Sequence, residues 1–382
     1  MFAVTVATGI GYLGANVMPM WLGALMDSLA LGPEQAGRIG SAELLGGAVA
    51  ALLVAPMAGR ISRRRLATIA CACAAAGYAL SALAGSYAML TLIRMATGFF
   101  CGIVLAAGNA AAAGARDPDR VYAAVGFFAG AAASVIIVIV GYASGAGGFA
   151  GIFLLLTGVV LIAIPVFRWL PESVTKQQAT TSATTRLSSQ PLFTLAAVLL
   201  LSISGQGLWA FTERIGDVIG LETEQIGWWI SVSSLSGLGS AAFAAWLGTR
   251  LGRTFPITVA IALSGSSQWI LVNANTEAAY IVALFGWGLA LNFWFPFVMG
   301  LLAELDRGGR WTVVSGAVAM AGIAVGPWVA GQLQEESPDH GLATLLVGCA
   351  VAALLLLLPV SISFDRLAGR GSESDPAVAG ID

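Results

Sequence analysis

The chain has 382 residues, of which 58% are hydrophobic and 10% are charged, and its mean hydropathy is +0.87. A soluble domain carries about 25% charged residues, so this composition excludes a water-soluble globular protein and indicates a membrane protein. The formal net charge of −2 gives no reason to expect a nucleic-acid partner.

Apolar runs of about 20 residues, long enough to cross a bilayer as helices, recur between short polar breaks. The first run begins at Phe2 with no basic segment before it, which favours a spanning helix over a cleavable signal peptide. The expected fold is an all-α membrane protein with two six-helix bundles. We predict twelve helices, numbered helix 1 to helix 12, at 2–27, 34–57, 67–86, 88–114, 121–143, 148–170, 192–214, 224–248, 255–273, 277–303, 311–332 and 342–363.

A long polar stretch, rich in Thr, Ser and Gln, divides the twelve helices into two sets of six. We therefore predict an N-terminal six-helix bundle at 1–170, a cytoplasmic linker at 171–190, a C-terminal six-helix bundle at 191–363 and a disordered cytoplasmic tail at 364–382.

The basic residues give the expected orientation. All Lys and Arg residues except Arg38, Arg94 and Arg214 fall in the linker, in the tail or in loops on the same side as the N-terminus. By the positive-inside rule this bias predicts that both termini are cytoplasmic. We expect a multi-pass protein of a bacterial-type inner membrane.

The sequence also matches itself, without a gap, at an offset of about 190 residues, as a duplicated unit would. Polar pairs at this offset include Asp27 with Asp217, Glu34 with Glu224, Gln35 with Gln225, Arg60 with Arg250 and Arg63 with Arg253. Two similar bundles in the same orientation can rock about a site at their interface. The alternative is a duplicated scaffold with no transport role.

The segment APMAGRISRRR at 55–65, after helix 2, resembles the signature loop of the major facilitator superfamily, and WLGTRLGR at 246–253 is its second copy. The resemblance covers essentially the whole chain. It implies a secondary transporter of twelve helices that works by alternating access, with helices 1, 4, 7 and 10 around a central cavity.

The same resemblance implies a cytoplasmic gate built from Arg60, Arg63, Arg64, Arg250 and Arg253. In both copies of this chain, a residue of another type occupies the position where the family has an aspartate. The arginines therefore have two further interpretations: they donate to carbonyl groups at helix C-termini, or they only determine the topology.

Glu43 in helix 2 and Arg94 in helix 4 are charged residues at membrane depth, where each charge needs an explanation. Both lie about 9 Å from the same end of their helices, on stripes of small residues, so both point into the bundle. We hypothesise that they interact, directly or through water, and that protonation of Glu43 couples transport to the proton gradient. The alternatives are a static stabilising pair and an anion-binding role for Arg94.

The candidate substrate-binding residues are the polar and aromatic ones that fall on the cavity helices which the resemblance implies. They are Tyr12, Asn16, Gln206, Asn292 and Trp294. Each has the alternative of a plain interhelical hydrogen bond. The second half is rich in aromatic residues and poor in charge, which suits a hydrophobic, aromatic or amphiphilic solute more than a sugar.

Asp27, Arg214 and Asp217, together with Glu213, lie near the far ends of helices 1 and 7. We predict an extracytoplasmic gate from Asp27, Arg214 and Asp217. Simple solvated helix ends are the alternative.

The resulting hypothesis is a proton-coupled secondary active transporter of a small organic solute. An uncoupled facilitator and a lipid-moving protein on the same scaffold are the alternatives. The sequence has no P-loop, no histidine cluster and no Ser/His/Asp set, so we expect neither ATP use nor an enzyme. We expect no cofactor and no metal site, and as partners a small-molecule substrate, protons and the lipid bilayer, with the chain acting as a monomer.

Overall fold

A computed structural model describes residues 1–54, 61–115, 117–172, 189–248, 250–305, 310–338 and 340–373. Within these ranges the chain is helical and has no β-strand. The twelve predicted helices are confirmed, and they form the two six-helix bundles of the expected fold.

The helices follow the predicted order with shifts of a few residues at most ends. Their bounds are Phe2–Gly11, Leu13–Asn16 and Met18–Leu29 for helix 1, Pro33–Val54 for helix 2, Arg63–Ala82 for helix 3, Tyr87–Ala113 for helix 4, Pro118–Ala163 for helices 5 and 6, Ser189–Val218 for helix 7, Thr223–Leu247 for helix 8, Thr254–Val272 for helix 9, Glu277–Leu305 for helix 10, Arg310–Glu336 for helix 11 and Gly341–Glu373 for helix 12. A 3₁₀ segment, Ile164–Trp169, continues helix 6.

Nine helical segments of the described chain are long and apolar enough to cross a membrane by length and composition. One of them, at 120–169, is twice the usual length because it contains both helix 5 and helix 6. The other two of the twelve are helix 1, which is divided into shorter segments, and helix 8, which carries five serines. The chain is a multi-pass membrane protein.

Helices 5 and 6 are joined by a break rather than a loop. Gly147 has a non-helical φ of −151° with a ψ of 18°, and Gly148 has a φ of +56° with a ψ of −149°. Only glycine adopts this backbone conformation without strain. The two glycines therefore reverse the chain direction with no intervening polar segment.

Helix 1 is interrupted at Tyr12 and Val17, where ψ rises to 3° and 11°. The second interruption is explained by Pro19, which lacks the backbone N–H that a regular helix would donate to the carbonyl of Ala15. The indole of Trp21 donates to the carbonyl of Gly14 at 2.9 Å, in the same stretch of the helix. The interruptions place polar backbone at the centre of the molecule.

Helix 12 continues past the predicted boundary at 363 to Glu373, so the first residues of the predicted disordered tail are helical. The physical reason is Asp365, whose carboxylate accepts hydrogen bonds from the backbone N–H groups of Arg253 (3.0 Å) and Thr254 (2.9 Å) at the start of helix 9. Residues 374–382 of the predicted tail and 173–188 of the predicted linker lie outside the described residues.

The two halves, 1–172 and 189–373, meet at the face where helices 1, 5, 7 and 11 end and helices 2 and 8 begin. We call it the distal face, and the opposite one, where the chain starts, the N-terminal face. Helix 11 bonds to helix 2 here: Trp328 N donates to Ser41 Oγ (3.0 Å), and Glu34 N donates to Glu335 Oε2 (2.9 Å).

Close backbone approach accompanies these bonds. Gly37 of helix 2 packs so tightly on Pro327 of helix 11 that a Cβ at residue 37 would overlap the Pro327 carbonyl oxygen. On the opposite side of the interface, the indole of Trp228 in helix 8 donates to the hydroxyl of Tyr142 in helix 5 at 3.3 Å. The distal face is therefore closed.

Candidate functional site

A cavity of about 550 Å³ lies between the two halves. Its volume is within the range of sites that hold small organic molecules, roughly 300 to 1,000 Å³. The lining reaches from the centre of the molecule toward the N-terminal face, through residues that include Gly11, Ala51, Leu105, Leu201, Leu238 and Phe295. The cavity is thus closed from the distal face by the contacts between the halves.

The structure brings all five predicted substrate-binding residues to this cavity. Tyr12 and Asn16 come from the interrupted part of helix 1, Gln206 from helix 7, and Asn292 and Trp294 from helix 10. Tyr12 is well exposed to the cavity, whereas Trp294 is largely buried in its wall. Their position supports the prediction, and their role in binding stays a prediction.

Two of the amides also make contacts within the protein. Asn292 Nδ2 donates to the carbonyl of Gly288 at 3.1 Å, one turn earlier in the same helix. Gln206 Nε2 lies 3.8 Å from the sulfur of Met18 in helix 1, a weak contact across the two halves. Within the described part of the chain these are the hydrogen-bonding contacts of the two amides, which leaves their other polar atoms for a solute.

Two cavity residues, Trp209 and Trp287, were not among the predicted site residues. Their ring centroids are 6.2 Å apart, with an angle of 45° between the rings. The buried Nε1 of Trp287 has no hydrogen-bond partner among the described residues. Their spacing in the sequence could have identified them, because residues three or seven apart lie on the same face of a helix. Trp209 follows Gln206 by three residues, and Trp287 precedes Trp294 by seven.

Glu43 and Arg94 form an ion pair between Glu43 Oε1 and Arg94 Nη2. Both side chains are buried, with relative exposures of 5% and 0%. Glycines create the space: a Cβ at Gly14 would overlap Glu43 Oε1, and one at Gly98 would overlap the Glu43 backbone carbonyl. Small residues on helices 1 and 4 thus allow a carboxylate to lie at the helix interface.

The guanidinium of Arg94 is enclosed by three aromatic rings. Its central carbon lies 5.1 Å from the ring centroid of Trp21, 4.8 Å from that of Tyr78 and 4.9 Å from that of Phe153. Cation–π contacts of this kind partly replace the water that a buried cation loses. Arg94 also reaches Ser81 Oγ at 3.5 Å.

The two members of the pair differ in their access to solute. Glu43 lines the cavity, whereas Arg94 lies behind it and is not a lining residue. Glu43 Oε2 is buried without a hydrogen-bond partner among the described residues. This arrangement argues against the interpretation that Arg94 itself binds an anionic substrate.

The predicted extracytoplasmic gate residues contact one another at the distal face. Arg214 Nη1 lies 2.9 Å from Asp27 Oδ1, across the two halves, and 2.8 Å from Asp217 Oδ2 in its own helix. All three side chains are partly solvent-accessible, so the net energy of the ion pairs is small, about 0 to 1 kcal/mol each. Their role as a gate stays a prediction.

At the N-terminal face, the predicted gate arginines contact their own half. Arg64 Nε donates to the carbonyl of Leu170 at 2.7 Å, as the interpretation of helix-end carbonyls expects. Arg253 pairs with Glu304 of helix 10. Arg250 is exposed, and its guanidinium lies 4.9 Å from the ring centroid of Trp246.

The remaining two gate arginines differ in what can be said of them. Arg63 is buried at the start of helix 3, and its Nη1 has no hydrogen-bond partner among the described residues. Arg60 lies outside the described residues. The cytoplasmic gate as a whole stays a prediction.

In each half an acidic residue near the end of the last helix binds the start of that half's third helix. In the first half Glu172 accepts from Ser62 Oγ (2.7 Å) and from Arg64 N (3.3 Å). In the second half Asp365 binds the start of helix 9 in the same way, as described above. The hydrogen bond from Ser62 and those from the backbone of Arg64 hold the pKa of Glu172 below its ordinary value.

Comparison with known proteins agrees with this architecture. Residues 4–327 match the Major Facilitator Superfamily. The chain is similar in structure to the nucleoside transporter NupG, with a TM-score of 0.77 and 14% sequence identity over 95% of this chain and 98% of that one. A mutant of NupG gives a TM-score of 0.76 at 14% identity, covering 95% of this chain and 99% of that one. No protein of curated function matches the sequence.

At this identity the structural similarity establishes the fold, and the sequence match establishes the family. Members of this family move small solutes across membranes, and the cavity between the halves is where a solute fits. The chain belongs to the Major Facilitator Superfamily.

Proposed function

We propose that the protein is a secondary active transporter that moves a small hydrophobic, aromatic or amphiphilic solute by alternating access, with proton coupling at Glu43. One observation carries the proposal: Glu43 lines the solute cavity and also forms the ion pair with the buried Arg94. Solute and proton therefore act on the same carboxylate.

The free oxygen of Glu43 explains how coupling works. While Arg94 lies beside it, the ionised carboxylate is stabilised by the adjacent positive charge. Oε2, which has no hydrogen-bond partner among the described residues, is the atom that would receive a proton. A movement between the halves that lengthens the pair removes this stabilisation and favours proton uptake, so that proton binding and conformation are linked.

The cavity wall supports the proposed solute class. Its aromatic members are Tyr12, Trp209, Trp287, Trp294 and Phe295, and its amide side chains are Asn16, Gln206 and Asn292. A sugar requires many hydrogen-bond partners, whereas a flat apolar solute with one or two polar groups is served by few polar side chains beside several rings.

For topology, we propose that the N-terminal face is cytoplasmic, in a bacterial-type inner membrane, and that the monomer is the working unit. The bias of Lys and Arg toward that side supports this orientation. In this arrangement the closed distal face is the outer one, and the cavity extends toward the cytoplasmic side. Arg214, Asp27 and Asp217 then belong to the closed outer gate.

The test is transport in proteoliposomes, with a solute first identified by a thermal-shift screen of metabolites and drugs. We expect Glu43→Gln to abolish accumulation driven by a pH gradient while solute exchange without a gradient persists. The exposed Glu336 of helix 11 provides the control, since Glu336→Gln should accumulate solute like the wild type. Unchanged gradient-driven transport by Glu43→Gln would rule out coupling at this residue.

The uncoupled facilitator is the second candidate, and the enclosure of Arg94 by Trp21, Tyr78 and Phe153 favours it, because three rings hold the cation in one place. In that case Glu43 and Arg94 are a static pair. The same assay separates the two functions, because a facilitator equilibrates solute and never accumulates it against a gradient.

A further inference from the structure

Glu213, near the distal end of helix 7, is buried at the contact between the two halves. Glu213 is 4% exposed, and its Oε2 has no hydrogen-bond partner among the described residues. The carboxyl group packs on Gly23 of helix 1, where a Cβ would overlap Glu213 Oε2. The absence of a side chain at Gly23 thus creates the space that the carboxyl group occupies.

Gly23 and Glu213 occupy equivalent positions in the two halves, separated by the 190-residue offset of the repeat. The same offset relates Asp27 to Asp217. The duplicated helices therefore meet at equivalent points, and the second half has a carboxyl group where the first half has only a hydrogen atom. The carboxyl group of Glu213 is therefore covered by helix 1 only while the two halves are in contact.

Helices 1, 7 and 10 supply the charged and titratable groups that face Glu213. They are Asp27, Arg214, Asp217 and Tyr280. The guanidinium of Arg214 is already shared between Asp27 and Asp217. An ionised Glu213 would be a third carboxylate competing for one cation.

Tyr280 does not offer Glu213 a hydrogen bond either. Its hydroxyl donates to the backbone carbonyl of Thr212 at 3.1 Å, and a phenol has only one proton to donate. A buried carboxylate with neither a hydrogen bond nor its own cation is costly, whereas a protonated carboxyl group in the same place is not.

We propose that Glu213 is a second proton-binding site, which holds a proton while the distal face is closed and releases it when that face opens. Separation of helix 1 from helix 7 would remove Gly23 from the carboxyl group and admit water, and the hydrated group ionises. The inference rests on the proposed alternating access and is independent of any proton at Glu43.

The sign of the pH effect follows directly. The closed form binds one proton more than the open form, so a low pH favours closure of the distal face and a high pH favours opening. For one proton, the equilibrium constant between the two forms changes by up to about tenfold per pH unit. The proposed site requires no ligand other than the proton that Glu213 binds.

The experiment measures the distance between spin labels at Ser28 and Val218, two exposed residues at the distal ends of helices 1 and 7. The labels are attached to cysteines in an otherwise intact chain whose four native cysteines are replaced by serine. Distance distributions are recorded from about pH 5 to about pH 9, the range in which buried glutamates titrate.

We expect the wild-type background to shift to longer distances as the pH rises, with a slope approaching one proton. Glutamine has the shape of glutamic acid but cannot ionise, so we expect the distal face of Glu213→Gln to stay closed at every pH. The control Glu336→Gln should follow the wild type. An unaltered pH response in Glu213→Gln, or none in the wild type, overturns the inference.

A second measurement does not depend on the folding of a Glu213 variant. Gly37→Trp introduces a side chain against Pro327 and blocks closure of the distal face without any change of charge. Infrared difference spectra at neutral pH between Glu43→Gln and the double variant Glu43→Gln/Gly37→Trp, in which Glu43 contributes no carboxyl band, should show the loss of one protonated carboxyl band. If that band is absent from the difference, Glu213 carries no proton and the inference fails.

The same variant separates this inference from the proposed function. If Gly37→Trp lengthens the distance between the labels but pH does not, alternating access stands and the Glu213 inference fails. If Gly37→Trp leaves the distance unchanged, the halves do not separate at this face, and both the proposed alternating access and the inference fail.

Discussion

The indole nitrogen of Trp209 in helix 7 donates a hydrogen bond of 2.9 Å to the carbonyl oxygen of Ala15 in helix 1. In a regular helix this carbonyl would accept from the N–H of residue 19, but that residue is proline. The carbonyl group that the interruption of helix 1 leaves unpaired in one half therefore accepts from a side chain of the other half. The bond exists only while the two halves are close, so it contributes to the closed distal face.

We expect Trp209→Phe to weaken the closed form by about 1 to 3 kcal/mol, because the Ala15 carbonyl would be left without its partner. The measurement is the distance between labels at Ser28 and Val218 at fixed pH, with a larger open population expected in the variant. Trp269→Phe, at an exposed tryptophan of helix 9, is the control. Equal open populations in the two variants would show that the hydrogen bond does not stabilise closure.

Removing one member of the buried ion pair should cost far more than removing both. We expect Arg94→Met to destabilise the protein by about 3 to 5 kcal/mol, because Glu43 would be buried without its cation. The double variant Glu43→Gln/Arg94→Met should recover much of that loss. Thermal unfolding in detergent measures each value.

The matched control for this series is the exposed pair of Arg38 and Glu34 in helix 2. Arg38→Met should change the stability by less than about 0.5 kcal/mol, because exposed pairs between residues four apart in a helix contribute little. If Arg94→Met were as mild as Arg38→Met, the ion pair would not be the feature that makes Glu43 tolerable inside the membrane.

Two glycines of helix 1 provide a test of the space around Glu43. A methyl group at Gly14 would overlap the Glu43 carboxylate, whereas nothing lies within 4 Å of the Cβ position at Gly9. We expect Gly14→Ala to lower stability by about 1 to 3 kcal/mol through overpacking, and Gly9→Ala to be neutral or slightly stabilising. Thermal unfolding of the two variants, measured side by side, checks this, and similar values for both would contradict it.

The contact between Glu172 and the start of helix 3 should give a pH-dependent contribution to stability. The pKa of Glu172 is lower in the folded protein than its ordinary value, first because Ser62 donates to it and then because of the Arg64 backbone. A lowered folded-state pKa stabilises the protein above the unfolded-state value, and this gain is lost as the pH falls through the folded-state value.

Glu172→Gln should therefore lower the unfolding temperature slightly at neutral pH, and the difference from the wild type should fade below about pH 4, as the pH falls through the lowered folded-state pKa of Glu172. Thermal unfolding over a pH series measures this. The comparison variant is Glu336→Gln at the exposed end of helix 11, outside the contact. A difference that persists unchanged at acid pH would mean that the charge of Glu172 is not responsible.

The fold was predictable because its signal is the length of the apolar runs, which does not depend on tertiary contacts. Glu43 and Arg94 could likewise each be assigned a depth and an inward-pointing direction, because both follow from residue spacing within a single helix. The rings around Arg94 could not, since Trp21, Tyr78 and Phe153 come from three different helices. Nothing in local spacing relates residues on separate helices.

Two other features depend on events that a hydropathy pattern does not record. The interruption of helix 1 lies in a predominantly apolar run, in which Pro19 is a local sign of it. The extension of helix 12 depends on one carboxylate, Asp365, reaching the start of helix 9 in an otherwise polar segment. Polar composition there predicted a tail, because a capping contact between distant segments has no compositional signature.

The paired contacts of Glu172 and Asp365 have a consequence for synthesis. Each half completes the start of its own third helix only when its last residues emerge from the ribosome, and neither half needs the other for that step. The first bundle can therefore be finished in the membrane while the second is still being translated, as N-terminal units commonly are. The cap that helix 9 receives from Asp365 then comes among the last contacts of the nascent chain.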